Sequence, residues 1–476
     1  MKVNILTFFI ALLSIVSFAQ QPQRPADIYE ASKVYEYPTD PLVLKKLEKW
    51  RDQKFGIMMH WGIYSVEGIR ESWLLCNEPR FVRDSNVVYE DYKKWYWSLS
   101  EKMNPTKFDP DKWAEISQKA GMKYVVFTTK HHDGFNMFDT KESDYGITKG
   151  PFAKNPKADV TKFIFEAYRK KGMMIGAYFS KPDWHSEYFW WPRYATTDRN
   201  VNYDGNKNPW RWKKFQDFTY NQISELMHHY GAIDVLWLDG GWVRPLEQGK
   251  KRPEGFSLYP DFSQDINMPE ITRMSREAQP GILMVDRTVH GPYENYRTPE
   301  QSIPKEQIND PWETCMTLGK GWGYRKNDKI KSATYIIHKL TEVVAKGGNF
   351  LLNVGPTPEG EFPEEVTTCL EKVGQWLKQN GEAIYATRTS AIYNDENIWF
   401  TQSKDGKVKY AIACLKEDTS VPVSLQWKGI IPTKSTLKLL STGKTLKWKQ
   451  TGDKIEVSLP KDLVGKNVPA LAFSIR

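Results

Sequence analysis

The chain holds eight histidines, and five of them (His60, His131, His132, His185 and His290) fall just after short apolar runs. Carboxylates and cations share those places. Asp133 follows the adjacent pair of histidines, Asp183 precedes His185, Asp239 ends the run Val-Leu-Trp-Leu, and Asp286 and Arg287 end another. A polar group where an apolar run surfaces needs a partner or a task. One such histidine is more often a hydrogen-bonded cap than a functional group, but five at equivalent places point to a shared polar pocket.

Three chemistries could use that pocket. A metal site could draw on His60, His131, His132 and Asp133, but adjacent residues of a regular strand face opposite ways, which counts against joint ligation by the two histidines. A lectin-like protein would need only aromatic faces and hydrogen-bonders. Glycoside hydrolysis would need two carboxyl groups, one ionised and one protonated, flanking the scissile bond. Asp239 suits the last: it ends an apolar run directly, and Gly240 and Gly241 leave room for close approach. Trp237 and Trp242 could pack against a sugar or fill core. Spacing alone is equally compatible with Asp239 as a helix cap or a salt-bridge partner.

The elements that position these groups are legible as alternation. Apolar runs end near Trp61, His132, Ser180, Asp239, Arg287 and Gly355. Between them lie helical patterns, one opening at Asp109-Pro110 and closing on Gly121, another opening at Asp159 and closing on Gly172. Continuous apolar strands alternating with helices predict a parallel sheet covered on both faces. The length suits an α/β fold, a (β/α)8-like, TIM-type barrel with fewer than eight clear units, in which side chains past the strand ends meet at one mouth. A doubly wound open sheet is the alternative, but no Gly-x-Gly-x-x-Gly turn follows the first strand. After residue 384 the texture changes to short alternating runs separated by Asp-Gly, Lys-Gly and Gly-Asp turns, which predicts an antiparallel β-sandwich over 385–476.

Composition narrows the function classes. The formal charge of +9 is spread along 476 residues without a polybasic block, which argues against nucleic-acid binding. With 19 Trp, 24 Tyr and 22 Phe, aromatic platforms are plentiful. Residues 1–19 combine a lysine, a long apolar stretch and a small-residue end, the pattern of a signal peptide; the catalytic domain would then span 20–384. No later segment is apolar enough for a membrane span. The expected location is outside the cytoplasm, in a bacterial periplasm or the extracellular medium. The four scattered cysteines lack metal-ligand spacing and read as buried thiols.

Several stretches, taken together, resemble the α-L-fucosidases of glycoside hydrolase family 29. They are "MMHWGIYS" (58–65), "KHHDGF" (130–135), "AYFSKPDWH" (177–185), "WLDGGW" (237–242) and "GGNFLLNVGPTPEGEF" (347–362), in family order. The resemblance implies a barrel enzyme that removes terminal α-L-fucose from fucosylated oligosaccharides or glycoconjugates, with retention and with no cofactor or metal. It implies Asp239 as nucleophile, and His60, His131, His132, Tyr178, Trp237 and Arg287 as groups holding the sugar. Glu71 and Trp73 match the family's hydroxyl-binding loop. For the acid/base, Glu300 in "RTPEQS" fits the family's loop best. Glu313 reads as a barrel residue near the sugar, and Glu294 as a surface turn. The aromatic stretch 181–204 resembles members that prefer branched α-1,3/1,4 linkages and would line the leaving-group side. A non-catalytic fucose-binding protein on the same scaffold is the alternative.

Overall fold

The computed structural model describes residues 35–84, 86–246, 262–432 and 436–476. The expected signal peptide lies outside the described residues. Seven parallel strands form one curved sheet: β1 (Phe55–Met59), β2 (Tyr124–Lys130), β3 (Met174–Ser180), β4 (Val235–Asp239), β5 (Leu283–Asp286), β6 (Glu313–Thr317) and β7 (Asn349–Val354). Their order is β5-β4-β3-β2-β1-β7-β6, so β5 and β6 are the two edges.

Every residue of these strands is buried, and alternate residues enter different cores. Met58, Tyr124, Val126, Tyr178, Val235, Trp237, Val285 and Leu351 pack in the barrel interior. Ile57, Val125, Phe127, Phe179, Leu236, Leu238 and Leu352 pack outward against the helices. Burial on both faces is why the strands read as unbroken apolar runs. The helices behind them start where the sequence marks them. Asp109 caps the helix Pro110–Lys119, accepting from Lys112 N at 3.2 Å, and Asp159 caps Val160–Lys170, accepting from Lys162 N at 3.3 Å. The helix Pro41–Gln53 sends Val43, Leu47 and Trp50 into the end of the interior away from the mouth, where Trp50 stacks on Tyr296 at 4.0 Å.

The gap between the edges is closed by an irregular segment, residues 293–301. It runs antiparallel to β5, with Asp286 N donating to Tyr293 O at 2.8 Å and Asn295 N to Met284 O at 2.9 Å. It then runs parallel to β6, with Glu313 N donating to Arg297 O at 2.8 Å and Gln301 N to Cys315 O at 2.9 Å. Neither β6 nor this closure is among the expected strands. β6 is the short, half-polar Glu-Thr-Cys-Met-Thr, and the closing segment has no strand-like alternation.

The C-terminal part forms two antiparallel sheets. One holds β8 (Arg388–Asp395), β9 (Ile398–Gln402), β10 (Lys409–Cys414), β12 (Leu437–Leu439) and β15 (Ala470–Ile475); the other holds β11 (Ser424–Lys428), β13 (Trp448–Thr451) and β14 (Lys454–Ser458). Period two decides the packing here too. Ala411, Ala413, Leu471 and Phe473 face the smaller sheet, whereas Tyr410, Ile412, Cys414, Ala470 and Ala472 face the barrel's helices. Trp376 Nε1 donates across this junction to Ala470 O at 2.9 Å. All four cysteines are buried and unpaired.

Candidate active site

Residues two apart on a strand share a face, so the inward positions at the strand ends meet at the mouth. Trp237 and Asp239 of β4, Tyr178 of β3, Asn353 of β7, and His60 and Arg287 just beyond β1 and β5 follow this rule. Asp239 lies at the centre. Its Oδ2 accepts from Tyr178 Oη at 2.8 Å, and its Oδ1 accepts from Arg287 Nη1 at 3.1 Å and from its neighbour Gly240 N at 2.8 Å. Burial is the largest single effect and pushes Asp239 up, but the Arg287 charge, His132 and the hydrogen bonds of Tyr178 and Gly240 together outweigh it. The carboxyl is held well below its usual range and is ionised.

Arg287 spans two carboxylates. Its other terminal nitrogen, Nη2, pairs with Glu300, whose side chain is 23% exposed against 12% for Asp239. Of the three glutamates open as acid/base, Glu300 is the one seen in this ion pair at the mouth among the described residues. Glu313 begins β6, below Trp237, and is fully buried. It accepts from Tyr124 Oη at 2.6 Å and from Trp237 Nε1 at 3.2 Å, and burial pushes it up to about 7. Glu313 is therefore bonded beneath the pocket, to Trp237 and Tyr124, outside the ion pair at the mouth. Glu294 is no surface turn either: it is 1% exposed and pairs backbone to backbone with Val285. Arg287 stays charged despite burial, because Glu300 and Asp239 face it.

The histidines divide unevenly. His60, His131 and His132 converge, but His185 stacks on Tyr145 at 3.8 Å, and both His185 and His290 are exposed. The expectation that His131 and His132 must face apart is wrong. The register of β2 shifts between Thr128 and Lys130, which sends Lys130 outward to Asp183 and Gln222. The chain leaves the strand in a turn closed by Gly134 N donating to His131 O at 3.0 Å, and both histidines face one site, with ring centroids 4.3 Å apart. One ligand-capable atom each from His131, His132 and Asp239 lies within 4.8 Å of the others. A metal ion fits this trio poorly, because the Arg287 guanidinium already faces Asp239 and would repel a second cation.

Burial lowers His60 and His132 to about 4 and His131 well below its ordinary value, so all three are neutral at neutral pH. His60 Nδ1 is 2.7 Å from Asn353 Oδ1. Asn353 Nδ2 donates to Trp322 O at 2.7 Å, which fixes the amide so that Nδ1 of His60 is the donor and Nε2 the free acceptor. His132 has no hydrogen-bond partner on either ring nitrogen among the described residues, and its Nε2 lies 3.7 Å from Asp239 Oδ2. A buried imidazole left unpaired is costly, which points to a ligand that completes it. Its ring is boxed by Trp73, Trp184 and Trp242 at 5.1–5.3 Å. Behind Trp73 and Trp242 stands Arg199, with its guanidinium carbon 5.0 and 4.9 Å from their rings and a two-pronged bond to Glu78. Nothing local in the sequence marks Arg199 or Glu78, which lie 121 residues apart.

Four further expectations need revision or placement. Gly240 and Gly241 do not clear space for a sugar. Gly240 has φ +90° and a side chain there would strike Pro182, while one at Gly241 would strike Thr288, so both serve the packing of neighbouring loops. Trp237 is 1% exposed, stacked on Tyr178 at 5.3 Å, and forms the floor below Asp239. Glu71 is 3% exposed and accepts from Gly323 N at 3.5 Å, beside the loop that carries Trp322. In the stretch 181–204, Trp184, Phe189, Trp190 and Tyr203 are buried, and Trp184 stacks on Trp190 at 5.0 Å. Four of that stretch's aromatic rings are thus core, with Tyr194 exposed.

Against known proteins, a family model described as alpha-L-fucosidase matches residues 24–382. Human plasma alpha-L-fucosidase is 30% identical over 445 residues, covering 89% of this chain and 88% of the human protein. Among solved structures, alpha-L-fucosidase isoenzyme 1 from Paenibacillus thiaminolyticus is 28% identical with a TM-score of 0.72, covering 91% of this chain and 99% of that one. The alpha-fucosidase of Thermotoga maritima in complex with fucose is 25% identical with a TM-score of 0.71, covering 93% and 100%.

Proposed function

The chain belongs to the α-L-fucosidase family of glycoside hydrolases, and from that premise we propose that it removes terminal α-L-fucose from glycans with retention of configuration. Asp239 attacks the anomeric carbon while Glu300, which parts from Arg287 and takes a proton from solvent as the substrate binds, gives that proton to the glycosidic oxygen. The bond to the leaving sugar breaks and an ester to Asp239 forms. Glu300 then takes a proton from water, which attacks the same carbon from the face the leaving group vacated, and Asp239 is released as carboxylate.

The observation that carries this reading is the single guanidinium joining Asp239 and Glu300. It favours the short spacing of a double displacement, roughly 5–5.5 Å, over the wider gap that an inverting enzyme keeps for its water. Asp239, ionised by Arg287 and directed by Tyr178, is ready as a nucleophile before substrate arrives. A protein that only bound fucose would gain nothing from that arrangement. His60, His131, His132, Glu71 and Trp73 hold the sugar's hydroxyls and faces, above the floor made by Trp237. The fucose bound to the Thermotoga maritima relative agrees with a monosaccharide pocket of this kind.

Product stereochemistry tests the mechanism. Proton NMR during hydrolysis of an aryl α-L-fucoside should show α-L-fucose first; β-L-fucose first would mean inversion. Asp239→Gly should nearly abolish turnover with the fold preserved. With an activated fucoside, azide should rescue Glu300→Ala and give the α-fucosyl azide. Rescue of Glu313→Ala instead would move the acid/base role to Glu313. Two finer proposals go with this reading. One is a preference for α-1,3/1,4 linkages, checked by comparing positional isomers of a fucosylated oligosaccharide. The other is export from the cytoplasm, checked by fractionating cells that express the full chain.

A further inference from the structure

The loop residue Ser72 and the buried pair Asp133 and Tyr96 form a network that the reaction itself does not use. Ser72 Oγ is 2.6 Å from His131 Nδ1 and 3.0 Å from Asp133 Oδ2, and Asp133 N donates back to Ser72 Oγ at 3.1 Å. Tyr96 Oη donates to Asp133 Oδ2 at 2.8 Å and accepts from Ser72 N at 3.0 Å. Phe135 N donates to Asp133 Oδ1 at 3.0 Å. All four side chains are no more than 5% exposed. Ser72 holds φ +36°, a backbone conformation unusual for serine, which persists only when its surroundings over-determine it.

Counting hydrogens gives the network one polarity. Tyr96 has one hydroxyl hydrogen, and since its oxygen accepts from Ser72 N–H, that hydrogen goes to Asp133. The Asp133 carboxylate collects three donors and offers none. Ser72 also has one hydroxyl hydrogen; turning it to His131 would set two bare oxygens, Ser72 Oγ and Asp133 Oδ2, face to face at 3.0 Å. It therefore points to Asp133, and His131 Nδ1 carries the proton that bridges to Ser72. Nε2, on the far side of the ring, is left as a bare acceptor.

We infer that Ser72, Asp133 and Tyr96 are positioning residues that lock His131 in the Nδ1-protonated tautomer, so that Nε2 can accept a hydrogen bond only from a hydroxyl that donates. His60, fixed in the same sense by Asn353, supplies a second such acceptor. Selection is then for a ligand that presents hydroxyl hydrogens to both rings. The geometry stands without any functional assignment; the consequence for the substrate rests on the proposed sugar-binding role of His131.

The experiment is ¹⁵N NMR of the ring nitrogens in the ligand-free full chain with labelled histidine, His131 being assigned by its loss in His131→Gln. Wild type should show a protonated Nδ1 and a bare Nε2 at His131. In Asp133→Asn an amide N–H facing Ser72 reverses the chain of donors, and the proton should move to Nε2. That variant should raise KM for an aryl fucoside by about 10- to 100-fold, the loss of roughly one hydrogen bond to a buried group, with a smaller change in kcat. A wild-type His131 protonated on Nε2, or a tautomer unchanged by Asp133→Asn in a folded protein, overturns the inference. Since the tautomer is read without substrate, failure of the fucosidase reading would show separately, as absent turnover by wild type.

Discussion

Glu313→Gln is expected to change how stability depends on pH while leaving the chemistry in place. Glu313 is fully buried below Trp237, and burial raises its carboxyl from 4.5 to about 7, although hydrogen bonds from Tyr124 and Trp237 pull the other way. Below 4.5 the folded and unfolded chains both hold the proton. As pH rises from there to about 7 the unfolded chain releases it and the folded protein keeps it, so stability falls across that window and stays lower above it. A gap of about 2.5 units at about 1.4 kcal/mol per unit amounts to about 3 kcal/mol. Glutamine keeps an oxygen for Trp237 Nε1 and never ionises. The difference in unfolding free energy between variant and wild type should therefore drift by about 3 kcal/mol in the variant's favour from the acid end to the neutral end. Urea unfolding of both proteins across the range measures it, and the subtraction cancels groups such as Asp133 and Asp159 that also titrate there. A flat difference, or one that drifts toward wild type, would refute the burial argument. Aryl fucoside turnover should persist in the variant, because Glu313 stands beneath Trp237 and outside the Asp239–Arg287–Glu300 ion pair.

Three further perturbations separate parts of the architecture. Tyr178→Phe removes the hydroxyl bonded to Asp239; losing a hydrogen bond to a charged group, about 1.5–3 kcal/mol, should shift the acid limb of kcat/KM upward by about 1–2 pH units, and an unmoved limb would contradict it. Gly240→Ala forces a Cβ at φ +90° against Pro182, so it should lower stability by about 1–3 kcal/mol and slow turnover by displacing the adjacent Asp239; an unchanged Tm would show that the loop yields freely. Lys130→Met strips the buried Asp183 of its cation, with a loss of about 3–5 kcal/mol expected in urea unfolding, whereas a surface-like loss under about 1 kcal/mol would mean that the pair is solvated.

The sequence by itself carried the barrel, the trailing sandwich and the central acid, for a physical reason. Strands buried on both faces must be written as unbroken apolar runs, helix starts must be written as caps such as Asp109 and Asp159, and a carboxylate closing such a run, as Asp239 does, stands out against its neighbours. His60, Tyr178 and Arg287 were legible in the same way, as polar residues at strand ends. What tertiary structure alone decided was depth and direction. Glu300 and Glu313 are both glutamates in short polar contexts, but the segment 293–301 brings one to the mouth, and the register of β6 sets the other beneath Trp237. The register shift in β2 and the turn that follows it brought His131 and His132 to the same side, against the alternation that a regular strand obeys. The two glycines after Asp239 answer to Pro182 and Thr288, which no local pattern could connect to them. Arg199 and Glu78, like Ser72 and Asp133, become partners only when distant loops pack, because a hydrogen bond constrains positions in space and leaves no periodic trace along the chain.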